Sequence, residues 1–450
     1  MSKSRIKYIC TSCGYESLRW LGKCPECDSW NSFSEELVET SKRKTGAVTI
    51  KKSSIYKINE ISATEEDRVK TGIKEFDRVL GGGIMPGSVI LLGGDPGIGK
   101  STLAMQAAAN ISSNVLYVTG EESPKQIKLR ALRLKIKADN FFILAETNLN
   151  NILSSIKEAE PSVVVIDSIQ TMHSEQFVNS PGTVTQIREC TSLLMEEAKK
   201  AHFAVILIGH VTKEGIIAGP KVLEHIVDTV LQFEGESNHS FRILRSQKNR
   251  FGSTNEIGIF EMHENGLIEV KNPSELFLSD REKNVSGSAI TASVEGTRPI
   301  LLEVQALVTP SNYGNPQRVT TGFDSRRLSI LLAVLEKRAN LRLSANNVFL
   351  NMAGGVRIME PAVDLAVCCS IASSLLDKII DNKSIVIGEV GLGGEIRSVG
   401  NIEKRIQEAE KLGFKKIFIP GNNLKALKLN TEIKITGVNN ILEILQIIYK

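Results

Sequence analysis

Gly94-Asp95-Pro96-Gly97-Ile98-Gly99-Lys100-Ser101 follows the pattern G-x-x-x-x-G-K-[ST]. That spacing suits a loop whose backbone wraps round phosphate oxygens. Upstream, Val89-Ile90-Leu91-Leu92 reads as a buried parallel strand, and residues 102–109 read as a helix. The loop therefore ends at a helix N-terminus, where unpaired N–H groups and the dipole favour anions. Lys100 is expected to reach the β/γ-phosphates of ATP or ADP, and the Ser101 hydroxyl to ligate Mg²⁺. Residues Gly94 to Thr102 are the expected nucleotide contacts.

A site of this kind needs acids. Ser162-Val163-Val164-Val165-Ile166-Asp167 is an apolar strand ending in aspartate. Asp167 is placed to hold the magnesium ion through water or through Ser101. The residue after it is Ser168, so a catalytic acid must come from elsewhere. Val115-Leu116-Tyr117-Val118-Thr119 ends in Gly120-Glu121-Glu122. A carboxylate at a neighbouring strand tip can polarise an attacking water. Glu121 is the expected base with Glu122 close behind; capping of the next helix is the alternative role for both. His210 follows another strand and suits γ-phosphate sensing or plain core packing. Lys213 and Lys221 lie on the glycine-bearing segment after it, where they suit contact with a polymer backbone.

Cys10-x-x-Cys13 and Cys24-x-x-Cys27 form a second constellation. Two such knuckles ten residues apart can close a tetrahedral Cys₄ site on Zn²⁺. Some thirty residues bury too little to fold alone, so metal binding is expected to supply the folding energy. Trp20, Trp30 and Phe33 are expected to pack over this small core. Cys190, Cys368 and Cys369 fall in helical patterns and read as core thiols.

These parts must be positioned by more than one domain, because the chain has 450 residues. Strands 141–144, 163–167 and 203–208 alternate with helices 149–159 and 184–200, which predicts α/β architecture with a mostly parallel sheet. Lys100, Glu121 and Asp167 then fall at strand C-termini, where such sheets bind ligands. The expected layout is a zinc module at 1–34, a basic linker at 35–62 (Lys42, Arg43, Lys44, Lys51, Lys52), an ATPase domain at 63–272 and a further α+β domain at 273–450. Net charge is only +4, so a nucleic-acid partner must rest on local sites. No apolar run reaches the ~18 residues a membrane span needs, and no signal peptide is evident. With cysteines in metal-ligand spacing, a reducing, cytoplasmic location is expected.

The cysteine module, residues 71–83 (Thr71-Gly72-Ile73 through Gly81-Gly82-Gly83), the Gly94–Ser101 loop and Thr119-Gly120-Glu121-Glu122-Ser123 together resemble the bacterial RadA (Sms) family of DNA-repair proteins. The most specific match is Lys248-Asn249-Arg250-Phe251-Gly252. The ATPase of that family is similar to those of the recombinase RecA and the ring helicase DnaB. The resemblance implies a DNA-stimulated ATPase forming hexameric rings, a homo-oligomer that acts on single-stranded and branched DNA and promotes branch migration with RecA. Lys248 and Arg250 then suit a neighbour's γ-phosphate, as an arginine finger does, or a DNA phosphate, with a charged hairpin turn as the plain alternative.

Residues 391–420 resemble the proteolytic domain of Lon, which uses a serine nucleophile activated by lysine. Ala362 occupies the serine's place and Glu403 the lysine's, so peptidase activity is not carried over. Lys337, Arg338, Arg342, Arg357, Lys404 and Arg405 are candidate phosphate contacts on what would be an assembly and DNA platform. An ATP-dependent protease or unfoldase is the alternative reading, and an ATP-switched scaffold a third.

Overall fold

The computed structural model describes residues 4–11, 13–39, 57–60, 68–137, 139–177, 179–210, 222–235, 241–278, 285–311, 314–355 and 358–449. The basic linker clusters, Lys213, Lys221 and Arg357 lie outside these. The chain divides into two compact units, Met1–Glu269 and Val270–Lys450.

The first unit opens with β1 (Ser4–Cys10), β2 (Glu16–Ser17) and β3 (Phe33–Glu39), a small antiparallel sheet in the order β2-β1-β3. After α1 (Lys74–Val79) comes β4 (Val89–Gly94), then α2 (Lys100–Asn110), β5 (Val115–Thr119), α3 (Pro124–Arg133) and β6 (Phe141–Ala145). Next are α4 (Leu149–Ala159), β7 (Val163–Asp167), α5 (Val184–Ala201) and β8 (Ala204–Ile208). Four further strands complete the unit: β9 (Thr229–Glu234), β10 (Phe241–Asn249), β11 (Ile257–His263) and β12 (Gly266–Glu269).

The large sheet runs β12-β11-β10-β9-β4-β8-β7-β5-β6. From β9 to β6 every pairing is parallel; β10, β11 and β12 extend it antiparallel. Strand alternation splits its core into two. Ile90, Leu92, Tyr117, Val163, Val165, Ile206 and Ile208 pack on one face with α2. Val89, Leu91, Leu116, Val118, Val164, Ile166, Val205 and Leu207 pack on the other with α4 and α5. Parallel strands covered on both faces give the continuous apolar runs seen in the sequence.

The cysteine module is not held apart by its linker. Ile9 joins the α5-side core, Gly14 lies beside Val184 and Val222, and Glu16 approaches Arg188 of α5 at 4.0 Å. Nor do the two tryptophans cover its core: Trp20 is 53% exposed and Trp30 72%. The metal knuckles and the Tyr15–Phe33 edge contact fill that space instead.

The second unit comprises α6 (Pro273–Leu278), β13 (Ser288–Glu295), β14 (Arg298–Pro310), β15 (Arg318–Thr321), α7 (Ser325–Ala339), β16 (Asn346–Met352) and α8 (Asp364–Leu376). It continues through β17 (Ser384–Val386), the hairpin β18 (Glu389–Val390) and β19 (Ile396–Arg397), α9 (Ile402–Lys411), β20 (Lys416–Pro420), α10 (Gly421–Ala426), β21 (Lys434–Val438) and α11 (Ile441–Ile448). Its mixed sheet runs β15-β16-β14-β13-β17-β20-β21.

Here the sequence reading needs correction. Arg405 is not a surface cation: it is fully buried. Its guanidinium pairs with Glu360 and donates to the Ala292 and Gly400 carbonyls. Glu360 also accepts from the Ser293 hydroxyl (3.0 Å) and the Val294 amide (2.7 Å). Ala362 is buried in the adjoining core with Ile290, Leu301 and Ile406, while Glu403 is exposed in the first turn of α9. Arg405→Ala would leave a largely buried carboxylate unpaired, a change that costs about 3–5 kcal/mol in comparable settings. We expect a loss of about 3 kcal/mol from this unit, seen as a lower denaturant midpoint; an unchanged midpoint would contradict the burial.

Candidate nucleotide site and metal centre

The loop between β4 and α2 takes backbone shapes that demand glycine. Gly94 has φ 149°, and a side chain there would lie 2.7 Å from the Phe233 carbonyl oxygen. Gly99, the residue before α2, has φ 114°. Lys100 is buried at the start of α2, and its ammonium donates to the Gly94 and Asp95 carbonyls at 2.8 and 2.9 Å. Burial pushes its pKa down to about 8, with Asp167 and Asp95 opposing the fall. Asp95 and Pro96 are exposed at the loop's tip, whereas Ile98 is sunk in the core beneath.

A cleft of about 260 Å³ opens over this loop. Gly97, Gly99, Lys100, Ser101 and Thr102 line one side; Glu121, Glu122, Asp167 and His210 face them. The acids sit there because β5 and β7 are parallel neighbours in register, Thr119 beside Asp167. The Tyr117 hydroxyl donates to Asp167 at 2.5 Å. The two glutamates differ. Glu121 is exposed and accepts from the Ser168 hydroxyl at 2.8 Å. Glu122 is tied to the Arg130 guanidinium. His210 is held below the ordinary imidazole range by burial first and by Lys100 second. Its main-chain carbonyl accepts from Gln170 at 3.2 Å.

Two lining residues escaped the sequence reading. Arg130 and Arg133 project from α3 into the cleft, and Arg130 Nη1 is buried without a hydrogen-bond partner among the described residues. The available signal was local: Ser123 and Gln126 form a capping box that starts α3, and positions three apart share a helix face.

Lys248 and Arg250 are not brought to this cleft. Arg250 pairs with Asp228 at 3.2 Å, and Asp228 accepts from the Val89 amide at 3.1 Å. Val89 begins β4 and Gly94 ends it, so Arg250 lies at the sheet edge opposite its own phosphate loop. Five strand steps separate the two ends, roughly 17 Å. The Arg250 side chain is still 51% exposed. Lys248 donates to the Glu224 and Val227 carbonyls at 2.8 Å each. The rest of the pentapeptide is anchored on the 71–83 stretch: Asn249 donates to the Val79 carbonyl, and Gly252 backs onto Gly81, where a side chain would sit 3.1 Å away.

In the cysteine module, the Sγ atoms of Cys10, Cys13, Cys24 and Cys27 all lie within 4.8 Å of one another. The Cys10–Cys27 and Cys13–Cys24 pairs are 3.7 and 3.5 Å apart. Zinc–sulfur bonds of 2.3 Å at tetrahedral angles put sulfurs about 3.8 Å apart, so the set fits a four-thiolate metal ion. Each knuckle closes by a matching amide bond, Gly14 N–H to the Cys10 carbonyl and Asp28 N–H to the Cys24 carbonyl. Cys10→Ser is expected to abolish stoichiometric metal and unfold the module. The α2-side core should persist, because no ribbon residue contributes to it. Elemental analysis showing equal metal in variant and wild type would refute the site.

A glycine-bordered phosphate loop facing strand-tip acids on a parallel sheet defines a P-loop ATPase fold, here with a four-cysteine ribbon before it and a second α/β unit behind. Comparison with known proteins agrees. Residues 57–215 match the AAA domain family, residues 8–35 the rubredoxin metal binding domain, and residues 321–423 the subunit ChlI of Mg-chelatase. The chain is 53% identical over 455 residues to the DNA repair protein RadA of Bacillus subtilis, covering 99% of each. It is 50% identical over 453 residues to that of Halalkalibacterium halodurans, again covering 99% of each. Among solved structures, the crystal structure of the RadB recombinase matches with 23% identity and a TM-score of 0.37, covering 45% of this chain and all of that one. The chain belongs to the RadA family of DNA repair proteins.

Proposed function

We propose that this chain is a DNA-dependent ATPase that works as a hexameric branch-migration motor on recombination intermediates, together with RecA, in the cytoplasm. One observation supports the ring above others. Lys100, Glu121 and Asp167 share a cleft, yet Arg250 stands exposed at the opposite sheet edge. An arginine so placed cannot serve its own site, but it can serve that of a neighbour packed against that edge.

Within the cleft, Ser101 and Asp167 would hold Mg²⁺, which neutralises charge on the β/γ-phosphates when bound. Lys100 and the α2 amides hold the phosphates. Glu121 orients water and takes its proton, because Glu122 is already occupied by Arg130. Zinc is the metal we assign to the four thiolates. Ala362 offers no nucleophile, so peptidase chemistry forms no part of the proposal. The deciding experiment is ATP turnover with and without single-stranded DNA, run beside a casein-degradation assay. Turnover indifferent to DNA, or casein cleavage, would overturn the proposal.

Glu121→Gln should retain nucleotide binding and slow hydrolysis by ~10²-fold or more. Glu122→Gln should be milder, since it removes an ion pair rather than the base. The reverse ranking in single-turnover assays would exchange the two roles.

A further inference from the structure

The chain contains two tryptophans, and both are exposed on the cysteine ribbon. Trp20 lies against Gly22, 3.7 Å from where a side chain would begin. Gly22 accepts the Asn31 amide, and Lys23 bridges Trp30 across the same short hairpin. The two indoles therefore flank one knuckle, with exposed Leu18 two residues before Trp20. Cations interleave with them. The Lys23 ammonium sits 6.0 Å from the Trp30 ring centroid, and it also pairs with Asp28. Arg19 is exposed, and its guanidinium has no partner among the described residues. Glu26 is an exposed acid on the same hairpin. The ribbon reaches the ATPase through Ile9, Gly14 and Glu16, which leaves the indoles outside that contact.

Exposed indoles cost hydration free energy unless something covers them. Flat π-faces with alternating cations are the chemistry that stacks unpaired bases while holding their phosphates. We propose that Trp20 and Trp30, with Arg19 and Lys23, form a second contact for single-stranded nucleic acid, separate from the motor cleft. It rests on the DNA role proposed above for the source of the strand.

The test uses the full-length, metal-loaded chain. Both indoles lie on this surface, so selective tryptophan excitation reports on it alone. Adding an oligothymidylate should quench the emission, whereas an abasic oligomer with the same phosphates should not. In parallel, anisotropy of a labelled oligothymidylate should show affinity falling about tenfold or more in the double variant Trp20→Ala, Trp30→Ala. The slope of log K against log salt should stay unchanged, because stacking rather than ion pairing is lost. Trp30→Phe should retain most of the affinity. Glu26→Gln should tighten binding by removing a repelling charge. Metal content of each variant checks that the ribbon is folded.

Anisotropy that reports binding while the indoles remain unquenched, with wild-type affinity in the double variant, would overturn the proposal and leave the DNA role standing. The surface would then suit a protein partner. Absence of any anisotropy change would overturn both the surface and the DNA role.

Discussion

Lys100→Ala is expected to abolish measurable ATP hydrolysis, a loss of at least about 10³-fold. Lys100 is the one lysine lining the described cleft, and its ammonium is buried where its charge acts with little screening. Phosphate charge grows in the transition state, so removing the cation raises the barrier more than it weakens ground-state binding. The fold should survive, because the ammonium bonds only to loop carbonyls. A pH signature accompanies this. The free-site pKa of about 8 should rise when a polyphosphate anion binds. Near pH 8 nucleotide binding should therefore take up roughly half a proton per site. Affinity should fall as pH rises above 8, where the lysine must first be protonated, and level off well below it. Calorimetry in buffers of different ionisation enthalpy measures the uptake. Wild-type turnover by the variant, or binding without proton uptake, would remove Lys100 from this role.

Arg250→Ala should reduce hydrolysis by about 10³-fold or more while leaving nucleotide binding intact, as expected when an arginine finger is lost. If Arg250 serves a neighbour's site, as proposed above, the defect is intersubunit. Each altered chain would disable its neighbour's site rather than its own, so mixing it with Lys100→Ala chains, which retain Arg250, should restore activity that neither variant has alone. The substitution also strips a partner from Asp228, which is 3% exposed. Asp228 keeps the Val89 amide, so thermal melting alongside separates a folding defect from a catalytic one. If Arg250 instead grips DNA, hydrolysis without DNA will be normal and DNA affinity will fall. The salt slope will then shallow by about one unit. Mixtures of the two variants that stay inactive would argue against the neighbour's site.

The ATPase unit was legible where local chemistry dictates structure. Short β-branched runs such as residues 163–166 read as strands buried on both faces, and the glycines at 94 and 99 mark backbone that other residues avoid. Four cysteines in paired spacing announce a metal site because thiolates two residues apart suit one knuckle. Strand ends then place Lys100, Glu121 and Asp167 together, since parallel strands in register carry their C-termini to one edge.

Other assignments depended on neighbours distant in sequence. Which glutamate lacks an ion pair in the cleft was decided by Arg130, which α3 carries to Glu122. Whether Arg405 meets solvent was decided by Glu360, forty-five residues away, because a charge is buried only where folding supplies its counter-charge. Two tryptophans beside a metal knuckle look like core until the sulfur cluster fills that space. The pentapeptide at Lys248–Gly252 marks the family in the sequence, but its edge of the sheet does not appear there. By itself the sequence determined the strands, the phosphate loop and the pairing of the four cysteines, because these depend on residue type and short spacing. The tertiary structure alone decided which charges face the cleft, which are buried and which, like Arg250, point away, because those outcomes depend on strand order and long-range pairing.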